Sequence, residues 1–219
     1  MKRKYLIAPL LILLLSTYIT KDRFLSLSIF NIKKIVVKNN HLLDEKIISK
    51  KLYFLFDSNI FLTDKKKIEN KLKELELVRG FEIKRIYPNK IKVKIFEKKP
   101  VAILHNKRQK KYFTDDNDVI SYFYLKKFEN LPQVFGDKDS FKKFYYNLKE
   151  IDFPIKSIKA FYLFESRRWD LVTKKNQLIK LPTKNYLKSL KNFLALKDQQ
   201  NFNKYQTFDY RISEQLILK

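Results

Sequence analysis

The stretch "RIYPNKIKVKIFEKKPVA", Arg85 to Ala102, decides the fold. It reads as two strands around a Tyr-Pro-Asn turn, followed by a third strand that leaves through Pro100. Before the turn Phe81 and Ile83 alternate with Glu82 and Lys84; after it Ile91, Val93 and Ile95 alternate with Lys92 and Lys94. A period of two describes a half-buried antiparallel hairpin. Pro88 fixes the turn through its locked φ and holds Tyr87 extended before it.

Toward the N-terminus the period lengthens to that of a helix. Asp64 can cap a helix carrying Ile68, Leu72 and Leu75, and Asp44 one carrying Ile47, Ile48, Leu52 and Leu55. Before them "SIFNIKKIVVKNN" places Phe30, Ile32, Ile35 and Val37 around a lysine pair. It reads as a strand ending in an Asn-Asn turn, where asparagine tolerates left-handed dihedrals. The order strand, helix, helix, strand, strand predicts two helices on one face of a small mixed sheet.

The N-terminus begins "MKRK" and runs into sixteen uncharged residues, Tyr5 to Thr20, before "KDR". A helix over them reaches about 24 Å, slightly short of a hydrocarbon core of about 30 Å, which flanking Lys and Arg can accommodate by snorkelling. A cleaved signal peptide is the competing reading, but no A-x-A-like site follows. Lys2, Arg3 and Lys4 outweigh Lys21, Asp22 and Arg23, so the positive-inside bias predicts a cytoplasmic tail at 1–4, a transmembrane helix at 5–20 and the remainder outside the cytoplasm. The chain is therefore expected to be a single-pass membrane protein.

Beyond Pro100 the residues predict a mostly antiparallel β domain with a few helices. Strands are expected at "VAIL", on either side of an Asp-Asn-Asp turn in "KYFTDDNDVISYF", and at "IKSIKAFYLF", "RRWDLVT" and "QLIKLP". Asn176 lies in the turn before the last of these. Helices are expected with Phe141, Phe144, Leu148 and Ile151 on one face, and with Leu187, Leu190 and Leu194 on another. Trp169 is expected to be buried, with Arg168 and Asp170 on the opposite face. The final strand, "EQLILK" at Glu214–Lys219, has no following segment to cover it and is expected at a sheet edge, where its main-chain groups can take an added strand. The fold class is α+β, with domains at 21–99 and 100–219.

Composition excludes more than it selects. The 219 residues include 48 Lys and Arg against 23 Asp and Glu, a net charge of +25, which favours polyanions but also reflects a chain rich in Lys, Asn, Ile, Phe and Tyr and poor in Gly. With no cysteine there are no disulfides, thiol nucleophiles or Cys-based metal sites. His41 and His105 lack an H-x-x-x-H partner and sit in a turn and at a strand end. Two glycines, Gly80 and Gly136, build neither a Walker loop nor a dinucleotide fingerprint, and the clustered carboxylates fall at caps and turns. No enzyme is expected, and no cofactor. Basic residues interleave with 15% aromatics, as in single-strand nucleic-acid platforms, but most aromatics take inward spacing and the RNA-binding signature is missing.

Together these segments resemble the FtsQ/DivIB family of bacterial cell-division proteins. That family has a short cytoplasmic tail, one span, a polypeptide-transport-associated (POTRA) domain and a β domain. Its Gly-Asn turn corresponds to Asn39-Asn40, with Asn replacing Gly. Its Arg-x-x-Pro-x-x-hydrophobic hairpin corresponds to Arg85, Pro88 and Ile91, and its Glu-Arg-x-Pro exit to Glu97, Lys98 and Pro100, with Lys98 in place of Arg. "YFTDDNDVI", "LPQVFG", "RRWDLVTKKNQLIKLP" and "FDYRISEQLILK" follow the family's later motifs in order, with Asp118 in a Gly position. The resemblance implies a single-pass divisome scaffold of the cytoplasmic (inner) membrane, at the division site, that binds FtsL- and FtsB-type partners and helps control septal cell-wall synthesis. It implies partner contacts at Gln215, Leu216, Ile217 and Leu218, supported by Tyr210, Arg211, Arg167 and Arg168. Arg85, Pro88, Glu97 and Pro100 become the turn and hinge between two interaction domains. Two other readings remain: a POTRA-bearing transport or secretion component, and an anchored basic protein that binds anionic glycopolymer.

Overall fold

The structure is a computed structural model that describes residues 7–16, 28–106, 109–197, 199–202, 204–212 and 215–219. The chain forms two compact units, residues 1–97 and 98–219.

Helix α1 (Ile7–Ser16) lies within the apolar N-terminal stretch, and Leu10 to Leu14 are exposed. Its ten residues rise about 15 Å, half the thickness of a hydrocarbon core. Among the described residues no helix is long and apolar enough to cross a membrane. The transmembrane helix expected over 5–20 is therefore not matched by α1; the rest of that span and its flanking charges lie outside the described residues.

In unit 1, β1 (Lys34–Lys38) pairs in parallel with β3 (Lys90–Glu97), and β3 pairs antiparallel with β2 (Val78–Ile86). The β2–β3 hairpin turns at Tyr87-Pro88-Asn89, with a cis Tyr87–Pro88 bond. Two helices cover one face. α2 (Glu45–Lys51) is capped by the Asp44 carboxylate, which accepts from Lys46 N–H, and α3 (Lys65–Lys73) by Asp64, which accepts from Lys66 and Lys67. Each cap satisfies amides that have no partner within the helix. Ile48, Leu52, Ile68 and Leu72 meet Ile35, Val37, Ile91, Val93 and Ile95 in one core. Ile47 departs from its expected place and is exposed, because a seven-residue helix turns only one narrow stripe inward. Phe30 stands outside the first strand in a short 3₁₀ turn, Ser28–Phe30.

Unit 2 is a nine-stranded sheet. Its strands are β4 (Pro100–Asn106), β5 (Gln109–Thr114), β6 (Val119–Ser121), β7 (Gln133–Phe135), β8 (Ile158–Leu163), β9 (Trp169–Thr173), β10 (Leu178–Lys180), β11 (Thr207–Asp209) and β12 (Ile217–Leu218). Their spatial order is β12-β11-β10-β9-β8-β7-β4-β5-β6. Pairing is mostly antiparallel, with parallel neighbours at β4–β7, β7–β8 and β10–β11. Parallel neighbours need a crossover, and helices α4 (Lys138–Glu150) and α5 (Tyr186–Leu196) supply two of the three. Both helices pack into one core. Phe144 stacks on Trp169 at 4.9 Å, Phe141 meets Phe113 at 5.0 Å, and Phe193 meets Phe208 at 5.0 Å. On α5 the residues fully inside are Leu190 and Phe193, whereas Leu187 and Leu194 are half-buried.

In a chain with two glycines, left-handed turns fall to other residues. Asn39, Asn117 and Asn176 occupy the expected turns with φ near 60°, joined by Asp57, Asp152, Asn185 and Arg167. Asn and Asp tolerate this region because their short polar side chains bond locally.

Candidate partner-binding edge

At one end of the unit 2 sheet, β12 lies outermost, held antiparallel by β11. Thr207 and Lys219 exchange both main-chain bonds, at 2.9 and 3.1 Å, and Gln206 N–H adds a third at 2.7 Å. In an antiparallel ladder bonded and non-bonded pairs alternate. Lys219 and Ile217 therefore turn their main-chain groups inward, and Leu218 turns its N–H and C=O outward. No described strand pairs with that outer side. The Ile217 side chain is exposed, while Leu216 and Leu218 are half-buried against the core. The six-residue strand expected over Glu214–Lys219 is reduced to two residues, because β11 itself offers only three; Glu214 lies outside the described residues.

Two arginine–aspartate pairs stand on the face that carries Ile217. Asp209 is opposite Ile217 and Lys180, and Lys180 is opposite Asp170, so one row of alternating charge crosses β9, β10 and β11 toward the edge. Arg211 grips Asp209 with Nε at 2.9 Å and Nη2 at 2.6 Å, and Arg168 Nε donates to Asp170 at 3.0 Å. The Arg211 guanidinium holds the Asp209 carboxyl below its ordinary range, and Asp209 in turn raises Arg211. Trp169 is buried on the other face, as expected. Asp170 is buried too, which follows from its pairing with Arg168 rather than from any apolar character.

Behind the edge lies a cleft of about 570 Å³ between the start of α5 and the segment after β11. Tyr210, Arg211, Gln215 and Leu216 line it together with Lys184 and Lys188, so the charged side chains among its described lining residues are cationic. Tyr210 is buried and donates its hydroxyl to Asn192 Oδ1 at 2.9 Å; burial pushes its phenol upward. Thus Tyr210, Arg211, Gln215, Leu216, Ile217 and Leu218 come together. Arg168 joins them through the charge row. Arg167 does not: its guanidinium reaches Asp137 and Ser140 at the start of α4, both at 3.2 Å.

The four residues expected at the turn and hinge, Arg85, Pro88, Glu97 and Pro100, have separate positions. Arg85 donates to Thr63 Oγ1 at 2.8 Å, tying β2 to the loop before α3. The Glu97 carboxylate accepts from the N–H groups of His41, Leu42 and Leu43 at 2.8–3.0 Å, closing the Asn39 turn. Pro88 sits in the hairpin turn, and Pro100 is the buried first residue of β4. Asp170, Lys180, Asp209 and Lys188 were not among the expected site residues. Strand period two in "RWD" and "DYR" already puts each Arg and Asp on one face, so that pairing was readable; the row that joins them depends on strand order. Among the described residues no cluster of three or more His, Asp or Glu could hold a metal.

Residues 30–98 match the family model for the FtsQ-type POTRA domain, and residues 102–211 match that for the C-terminal region of cell division protein FtsQ/DivIB. The chain belongs to the FtsQ/DivIB family. Similar relatives include the cell division protein FtsQ of Rickettsia typhi, 29% identical over 83% of this chain and 70% of that protein. Another is the DivIB of Clostridium tetani, 29% identical over 70% of this chain and 55% of that protein. A solved extracytoplasmic domain of DivIB from Geobacillus stearothermophilus aligns with 48% of this chain and 96% of its own, at 9% identity and a TM-score of 0.36. Membership of the FtsQ/DivIB family assigns the chain to cell division and to an α+β architecture of POTRA and β-rich domains.

Proposed function

We propose that this FtsQ/DivIB protein is a non-enzymatic, membrane-anchored division scaffold whose two units lie outside the cytoplasm, and that β12 receives an extended segment of an FtsL- or FtsB-type partner. Through that contact it helps control septal cell-wall synthesis. The observation that carries the reading is the outer edge of β12, where Leu218 directs its N–H and C=O away from β11 beside an apolar Ile217 side chain. Main-chain bonds to an added strand supply affinity and alternating side chains supply specificity. The cationic cleft and Arg211 then favour acidic residues flanking that strand.

The test is capture of the partner from cross-linked membranes. Deleting Gln215–Lys219 abolishes capture and leaves unit 1 folded. Leu218→Pro is the sharper variant, since it removes one outward N–H, whereas proline at Ile217 would break the inward pairing with Asp209. Leu218→Ala controls for the side chain and retains capture. Undiminished capture by folded Leu218→Pro protein would falsify the edge-strand reading. A C-terminal reporter active only in the cytoplasm would overturn the anchored topology.

A further inference from the structure

One end of unit 1 carries an apolar surface. Three loops meet there: the 3₁₀ turn at Ser28–Phe30, the segment after Asn59, and the hairpin turn at Tyr87-Pro88-Asn89. Phe30 packs edge-on against Phe61 at 5.1 Å, and Phe61 stacks on Tyr87 at 5.1 Å. Main-chain bonds hold the loops in register, Ile60 N–H to the Phe30 carbonyl at 2.9 Å and Lys33 N–H to the Asn89 carbonyl at 2.9 Å. Yet Leu62 is 66% exposed, Ile29 and Tyr87 are each 55% exposed, and Ile86 is 37% exposed. Large apolar side chains grouped in this way, rather than scattered, mark a contact surface.

Its surroundings specify the contact. Lys33, Arg85 and Lys90 are exposed around the patch, while of the acids beside it Asp64 is occupied in capping α3 and Asp57 is exposed, so cations prevail. Aromatic and aliphatic tips ringed by Lys and Arg match the chemistry of a bilayer interface, where rings lie at headgroup level and cations meet anionic lipid. The chain's own connectivity supplies proximity. Ile29 follows the uncharged stretch Tyr5–Thr20 by nine residues, and the path from Ser16 to Ser28 spans at most about 40 Å when fully extended.

We propose that this end of unit 1 docks on an anionic phospholipid surface, with Leu62, Ile86 and Tyr87 entering the interface and Lys33, Arg85 and Lys90 at the headgroups. The inference rests on the membrane-anchored reading above. Docking sets unit 1 with its hairpin turn at the membrane and its Asn39–Leu43 turn, at the other end of β3, roughly 23 Å away.

The absence of cysteine makes the full chain suitable for single-site spin labelling. Leu13→Cys, Leu62→Cys, Tyr87→Cys and His41→Cys proteins are reconstituted into vesicles of phosphatidylethanolamine and phosphatidylglycerol. Accessibility to oxygen and to a water-soluble nickel chelate is then measured. Labels at 62 and 87 are expected to favour oxygen, as at 13, while the label at 41 favours the chelate. Chelate-accessible labels at 62 and 87 with a lipid-buried label at 13 overturn the docking surface and leave the anchor standing. Chelate access at 13, 62 and 87 together overturns both.

Discussion

The two sheets finish their edges differently. In unit 1, β2 is an edge strand of nine residues, and it bears exposed Glu82, Lys84 and Arg85 with Glu82 paired to Lys94 of β3 at 3.4 Å. In unit 2, β12 is an edge of two residues with an exposed isoleucine. A long open edge is a template for unwanted pairing and charge blunts it; a short apolar edge is open to a partner that brings its own strand. The ends contrast as well: Glu97 closes one end of unit 1 through three amides, whereas β12 is held by its bonds to a single neighbour.

Four changes sharpen or break this contrast. Glu97→Ala has the largest expected effect, because the N–H groups of His41, Leu42 and Leu43 lose their acceptor together; unit 1 should lose about 2–3 kcal/mol. A thermal melt unchanged from that of the parent would show that water replaces the carboxylate. Gly136→Ala tests the centre of the other sheet. Its Cβ would lie 2.8 Å from Cβ of the half-buried Leu163 and 3.0 Å from Cη2 of the core residue Trp169. The expected cost is about 1–3 kcal/mol, read as a lower denaturant midpoint by fluorescence of Trp169, the only tryptophan.

The third change addresses the long edge itself. Glu82→Val combined with Lys84→Val should leave stability within about 0.5 kcal/mol but cause self-association in sedimentation experiments. A strictly monomeric double variant would mean that these charges are not what keeps β2 solitary. Acid produces the smallest effect, at β12. Because Arg211 lowers the folded Asp209 carboxyl below its ordinary range, their pairing stabilises the edge above that range and is lost as pH falls through the lowered value. Amide protection at Lys219 and Thr207 should decline below about pH 4; protection that persists under acid would mean that the pair does not hold the edge.

Much of unit 1 was legible because its signals are local. Asp44 and Asp64 stand one residue before their helices, Asn39 takes the left-handed turn, and Ile91, Val93 and Ile95 alternate inward. The candidate edge was legible only in outline. The apolar run Leu216–Leu218 was readable, but its length as a strand depended on β11, and its bonding direction on the Thr207–Lys219 pair. Arg167 and Arg168 are adjacent and chemically alike, yet they diverge because Arg167 has a φ of 61° and turns toward Asp137.

The sequence by itself determined the order of elements in unit 1, the caps at Asp44 and Asp64, the turns at Asn39, Asn117 and Asn176, and the family, since each of these depends on residues within about one turn or one hairpin of one another. Tertiary structure alone decided that β7 and β8, and β10 and β11, are parallel neighbours across α4 and α5. It also joined Asp170, Lys180 and Asp209 in one row, and left β12 outermost. Such arrangements depend on which distant strands exchange main-chain bonds, and every residue but proline offers the same N–H and C=O to that choice.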